Sequence, residues 1–344
     1  MSNYPYNPYG YQPQQYQEEY RRMQQNANEK REFRHRSILV GCSIIIFELL
    51  TFTVSMGLVF SGLREVYFGS TLFSYSVEMI FSIVSMLGAY FIAKAMIDKK
   101  HVGFIPLAKP ENKKHALLLI PFGVATCFAG SYATGILNTV LEEIFNVTFE
   151  QPEIADPKTP LEAFVFILSV SVVPAIVEEI ALRAGVLQAM RKYGDWFAIF
   201  TSAFIFAVLH GNMIQTPFAF IAGIGLGYVF CATGSIWPGI IIHFINNFTS
   251  CISTMGPIFG LPDGSEADKA GVITMDDIYM AFFSLVLIAG VVCFVLYLID
   301  KKRPVLNKDN STLTLSQKIG GFLFNIPMII SLIYMGYNTA QYIK

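Results

Sequence analysis

Six side chains on three apolar stretches have the types and spacing to do chemistry together. Glu178, Glu179 and Arg183 lie inside the apolar run 160–190, His210 closes the stretch Phe206-Ala207-Val208-Leu209-His210, and His243 opens His243-Phe244-Ile245-Asn246-Asn247. An ionised group in hydrocarbon costs from about 3 to more than 10 kcal/mol, so such groups are kept only with partners or beside a wet cavity. On a helix, Glu179 and Arg183 are four residues apart and share a face, which allows an ion pair. Glu178 is turned from Glu179 by about 100° and has no partner on its own helix. Pro174, one turn earlier, should kink the helix and free a backbone carbonyl, which suits a cavity wall. His210 shares a helical face with Phe206, and His243 shares one with Asn247. A single Glu-Arg pair is as often a clamp between helices, and a single histidine is more often an interface residue than a catalyst. Their joint occurrence weighs differently, because carboxylate, imidazoles and amide are the set a buried hydrolytic site needs.

The rest of the chain reads as the scaffold that must hold them. Of its 344 residues 53% are hydrophobic and only 14% charged, and the mean hydropathy is +0.50. That is too apolar for an ordinary soluble domain. We expect an all-α, polytopic transmembrane bundle of about nine spans, within a range of about eight to ten, near 37–62, 72–97, 116–141, 160–190, 195–213, 216–232, 236–255, 278–299 and 318–340. The four spans from 160 to 255 form the expected catalytic core of a membrane domain covering 36–344. Residues 1–35, rich in Tyr, Pro and Gln and then in charge, read as a disordered cytoplasmic tail with a basic flank.

Arg34, Arg36, Lys99, Lys100, Lys109, Lys113, Lys114, Arg191, Lys192, Lys301, Lys302 and Arg303 fall in alternate connections, which places those connections and the amino terminus in the cytoplasm. Glu142, Glu143, Glu150, Glu153, Asp156, Asp263, Glu266, Asp268, Asp276 and Asp277 occupy the opposite ones. Cys42, Cys127, Cys231, Cys251 and Cys293 all lie in apolar segments, which argues against a disulfide framework or a thiolate zinc site. The net charge of -1 and the short basic runs give nucleic-acid binding no support. Glu48, Glu78, Lys94 and Asn138, also within spans, read as interhelical or snorkelling groups, and Ala219, Gly223 and Gly227 as a close-packing seam.

The ordered set Glu178-Glu179-Ile180-Ala181-Leu182-Arg183, Phe206 to His210 and His243 to Asn247, with the lead-in Thr233-Gly234-Ser235-Ile236-Trp237-Pro238, resembles the signatures of a known family. This is the family of CAAX protease and bacteriocin-processing (CPBP) membrane proteins, intramembrane glutamic endopeptidases related to type II CAAX prenyl endopeptidases. The resemblance covers about 160–255 and implies a protease without a covalent intermediate. In it Glu178, assisted by His210, acts as general base on a water, and His243 and Asn247 donate to the oxyanion at the scissile carbonyl. Glu179 and Arg183 hold the helix and tune the charge around Glu178, with Phe206 in support.

Two other readings stand beside this one. A zinc hydrolase could use the two glutamates and two histidines as ligands, although the His-Glu-x-x-His helix is absent and no cofactor is otherwise implied. A non-catalytic transporter, scaffold or peptide-immunity factor would keep the same charges as an ion path or as packing. The implied partners are the lipid bilayer and a membrane-associated peptide or protein substrate, and the expected location is a prokaryotic plasma membrane. Counting along the spans puts Glu178 near mid-membrane or below, His210 toward the outer face and His243 toward the inner one, so shifted helix ends and kinks at Pro174 or before Pro217 must close the difference.

Overall fold

The computed structural model describes residues 13–96, 107–149, 155–255, 258 and 274–343. Residues 1–12 of the tail, Lys99, Lys100, Glu150, Glu153, Asp263, Glu266, Asp268 and the side chain of Asp276 lie outside the described set. The chain is a polytopic helical membrane protein, and each apolar stretch read from the sequence forms a helix. They are α1 (Pro13–Phe60), α2 (Thr71–Ala95), α3 (Lys113–Phe145), α4 (Pro160–Tyr193), α5 (Asp195–Leu209), α6 (Thr216–Thr233), α7 (Trp237–Thr254), α8 (Met275–Ile299), α9 (Leu315–Leu323) and α10 (Ile326–Ala340).

Among the described residues six helices are long and apolar enough to cross a membrane, or seven if α9 and α10, bent by 66°, count as one span. This is fewer than the nine expected, and the shortfall falls on helices that carry the candidate site. α5 has only 15 residues, and α7 loses hydropathy to His243, Asn246 and Asn247.

The tail is corrected more substantially. Residues 13–35 are the first part of α1 rather than a disordered segment. Gln, Glu, Arg and Met are good helix formers without any apolar stripe, and this helix is tied to the body of the protein. Phe33 is buried edge-on against Tyr193, Glu29 accepts from Thr312, and Glu32 takes Arg36 and Lys192. Burial pushes the Glu32 carboxyl up, but hydrogen bonds from Lys192 and Arg36 outweigh it and hold it below its usual range.

The basic connections converge at one end of the bundle. There Arg36 donates to the Ala189 carbonyl at 2.8 Å, Lys114 pairs with Asp300 at 3.0 Å, and Asp195 receives Arg191 and the Asn307 amide, each at 2.8 Å. Asp300 is held well below the usual carboxylate range by the Lys302 amide, then by Lys114 and His115. At the far end, Phe149 beyond α3 bridges Ile343 beyond α10.

Packing between α5 and α6 follows the small-residue seam. A Cβ at Gly223 would meet Ala203 Cα at 2.9 Å, one at Gly227 would meet Ile199 at 3.3 Å, and Ala219 is fully buried. The two helices therefore lie close enough for α5 to be held rigidly although it is short.

Candidate functional site

α4 is not a uniform α-helix. It widens into π-helical turns at Leu168–Val172 and again at Ile180–Leu187. Such turns leave carbonyls in need of partners and occur often at functional sites. Pro174 has no N–H for the carbonyl four residues before it, that of Val170, and the Asn247 side chain donates to that carbonyl at 3.0 Å. The kink expected at Pro174 is thus the place where α7 is fastened to α4. In the second wide turn the Leu182 carbonyl accepts from Ser202 of α5 at 3.2 Å, and Glu178 and Glu179 sit just before it.

α5 resolves the depth problem. It begins at the basic end, where Asp195 meets Arg191, and 15 residues of about 1.5 Å rise carry it only about 22 Å. Its end, and His210 with it, therefore stops inside the bundle rather than at the far surface. Gly211 turns the chain with φ of 62°. Asn212, 2% exposed, then satisfies the non-helical backbone by accepting from the Gln215 amide and donating to the His210 carbonyl, both at 2.9 Å. Such backbone is tolerated at membrane depth only where protein supplies its partners.

α7 is set by its lead-in. Thr233 caps Val229 and Ser235, Gly234 takes φ of 66°, Ser235 donates to the Ala108 carbonyl, and Trp237 Nε1 donates to that of Leu107.

These devices bring the expected residues together. His243, 5% exposed, stands between the two glutamates, with Nε2 3.6 Å from Glu178 Oε2 and Nδ1 3.4 Å from Glu179 Oε1. Glu179 and Arg183 are both fully buried, and their ion pair closes at 3.2 Å. The Arg183 guanidinium lies 5.3 Å over the Phe206 ring. That ring is edge-on to both His210 and His243, at 4.8 and 5.7 Å, so Phe206 separates the buried cation from the imidazoles. Glu178 is only partly buried and lines one cavity of about 240 Å³ with Phe206 and His210. His210 Nδ1 donates to the Phe206 carbonyl at 2.8 Å, which leaves Nε2, with its lone pair, as the free ring nitrogen.

Asn247 is partly engaged within the bundle. Its amide donates to Val170 and its oxygen accepts from Asn246 at 3.0 Å, so its first function is to position α7 against α4. One N–H remains. Among the described residues no group of three or more His, Cys, Asp or Glu is arranged to hold a metal ion.

Two contributors escaped the sequence reading. Gly239 lies one turn before His243 on the same face, and a Cβ there would come 2.7 Å from Glu179 Oε2. The spacing of four was the available signal. Because Glu179 is clamped by Arg183 and His243 it cannot retreat, so Gly239→Ala will lower the thermal unfolding midpoint, costing about 1–3 kcal/mol. The same variant will reduce activity, and both are readable on the purified variant in detergent. The other is Glu78 of α2, read above as an interhelical group, which lines the same cavity as Glu178 and His210.

Comparison with curated proteins and with solved structures finds no match. Residues 160–249, which hold all three signatures, match the model of the family Type II CAAX prenyl endopeptidase Rce1-like.

Proposed function

We propose that the protein is an intramembrane endopeptidase that hydrolyses a peptide bond with a water activated by Glu178. The observation that carries this reading is the shared cavity: Glu178 and His210 face one space, while His243 Nε2 stands 3.6 Å from the Glu178 carboxylate. A water held there gives one hydrogen to the Glu178 carboxylate and the other to His210 Nε2, and attacks as Glu178 takes its proton. His243 Nε2 is beyond hydrogen-bond reach of Glu178, so its proton stays available to the oxyanion forming alongside, and the free N–H of Asn247 is the second donor. Glu178, now protonated, passes the proton to the leaving amine, and no covalent intermediate forms. Glu179 and Arg183 hold His243 and the wide turn of α4 in place.

The apolar groove that adjoins this cavity and shares Phe47, Met86 and Leu209 with it fits an apolar or lipidated portion of a membrane-associated substrate. By the positive-inside bias the end carrying Arg36, Lys114, Arg191 and Lys192 is cytoplasmic, and so is the amino terminus.

The test is a comparison of membrane proteomes from cells carrying the native chain and cells carrying Glu178→Gln. A fragment present only with the native chain supports proteolysis, and identical proteomes overturn it. The metal-hydrolase reading is separated by assaying the purified protein in strong chelator. Full activity is expected, and loss restored by added zinc would favour metal chemistry.

A further inference from the structure

Glu78 lies on α2, outside the family match at 160–249, and the hydrolysis just described makes no use of it. It is nevertheless exposed into the chamber that holds Glu178 and His210. The Tyr67 hydroxyl donates to its carboxylate, which orients the group without cancelling its charge. Beside it the wall from α1 and α2 mixes apolar Phe47, Phe81 and Met86 with the hydroxyls of Thr51, Ser82 and Ser85, and Thr51 donates to Ser85 at 2.9 Å. Among the described residues lining the chamber there are two carboxylates and one imidazole but no lysine or arginine. The nearby cation, Arg183, is fully buried against Glu179 and behind the Phe206 ring.

The chamber is therefore negatively charged at the point where a peptide must lie. Glu78 and Glu178 line this one space of about 240 Å³, and because an extended chain advances about 3.3–3.6 Å per residue, a substrate group held at Glu78 lies within a few residues of a bond held at Glu178.

We propose that Glu78 is a specificity-determining residue: it selects a substrate with a cationic group, a lysine or arginine side chain or a free amino terminus, within a few residues of the scissile bond, and disfavours one with a carboxylate at that position. The proposal rests on the proteolytic reading of the site, but its first consequence is binding, which can be measured apart from cleavage.

The experiment uses the full chain in lipid nanodiscs, as native protein and as Glu178→Gln. The probes are fluorescent amphipathic peptides of one length, amino-terminally acetylated or free, carrying lysine, glutamine or glutamate at one scanned position. At the responsive position the lysine peptide will bind about tenfold more tightly than the glutamate peptide. Glu78→Gln will reduce that ratio to below about twofold, while Tyr67→Phe, which removes only the orienting bond, will keep most of it. Preference for the free amino terminus over the acetylated one identifies an ammonium, and preference among acetylated peptides identifies a side chain; either supports the proposal. Because Glu78 is exposed, its variant is expected to fold, and an unchanged thermal midpoint checks this. Equal affinities for the three peptides, or a preference untouched by Glu78→Gln, overturn the proposal. Charge preference without cleavage by the native chain instead removes the proteolytic reading and leaves the selection standing.

Discussion

Glu178→Gln will lower kcat by about 10²- to 10⁴-fold, the usual contribution of a positioned general base, with KM for a cleaved membrane peptide nearly unchanged. Glutamine keeps the volume and a hydrogen-bond acceptor, so the water is still bound but its proton has nowhere to go. Geometry makes the effect specific to this residue. Glu179, its neighbour in sequence, is fully buried and paired with Arg183 at 3.2 Å, whereas Glu178 opens into the cavity it shares with His210. Of the two carboxylates only Glu178 can reach a water. His210→Ala will lower kcat by a smaller factor, about 10- to 100-fold, because it removes an assisting acceptor and leaves the base. Steady-state kinetics on the reconstituted protein decide both. If Glu178→Gln cleaves at the native rate, the assignment of the base is wrong.

The second large effect falls on stability. Arg183→Ala will destabilise the fold by about 3–5 kcal/mol, because it strands the Glu179 carboxylate at full burial. Arg183 makes its ion pair with Glu179 and its ring contact with Phe206, and its terminal nitrogens form no hydrogen bond among the described residues. The pair therefore stands or falls as a unit. Replacing both partners, Glu179→Gln with Arg183→Met, will recover most of the loss, since no buried charge remains without a counter-charge. Thermal unfolding of the native protein, Glu179→Gln, Arg183→Met and the double variant in one detergent measures the coupling, with Arg183→Ala alongside. A double variant as unstable as Arg183→Ala would show that the guanidinium is needed for something other than balancing Glu179. The recovered fold should still be impaired in activity, because His243 Nδ1 faces Glu179 at 3.4 Å and would lose a charged support.

The short α5 has a depth that its own residues do not encode. The apolar run containing Phe206 and His210 was legible as a membrane helix, but periodicity does not say at what depth it ends. That depth follows from Asp195 being pinned at the basic end by Arg191 and Asn307, and from Asn212 being buried where it satisfies the turn. The Asn307 contact joins residues 112 apart in the sequence, and the Asn212 contacts lie within an irregular loop. The amino-terminal segment fails in the opposite direction. Its composition resembles that of disordered tails, yet residues 13–35 are helical because Glu29, Glu32 and Phe33 find partners at Thr312, Lys192 and Tyr193. Those partners lie about 160 to 280 residues away, where no local pattern can register them.

The sequence by itself determined the membrane class and the helical stretches, and it singled out Glu178, Glu179, Arg183, His210 and His243 as candidates, since charge retained in apolar runs is costly wherever the helices go. Only the tertiary structure decided what each group faces. It set His243 between the two glutamates, turned Asn247 onto the carbonyl that Pro174 leaves free, and brought Glu78 from another helix into the same chamber. The reason is physical: the cost of burying a charge depends on residue type and can be read from the chain, whereas the partner that meets that cost is chosen by helix ends, wide turns and crossings, which exist only once the helices have packed.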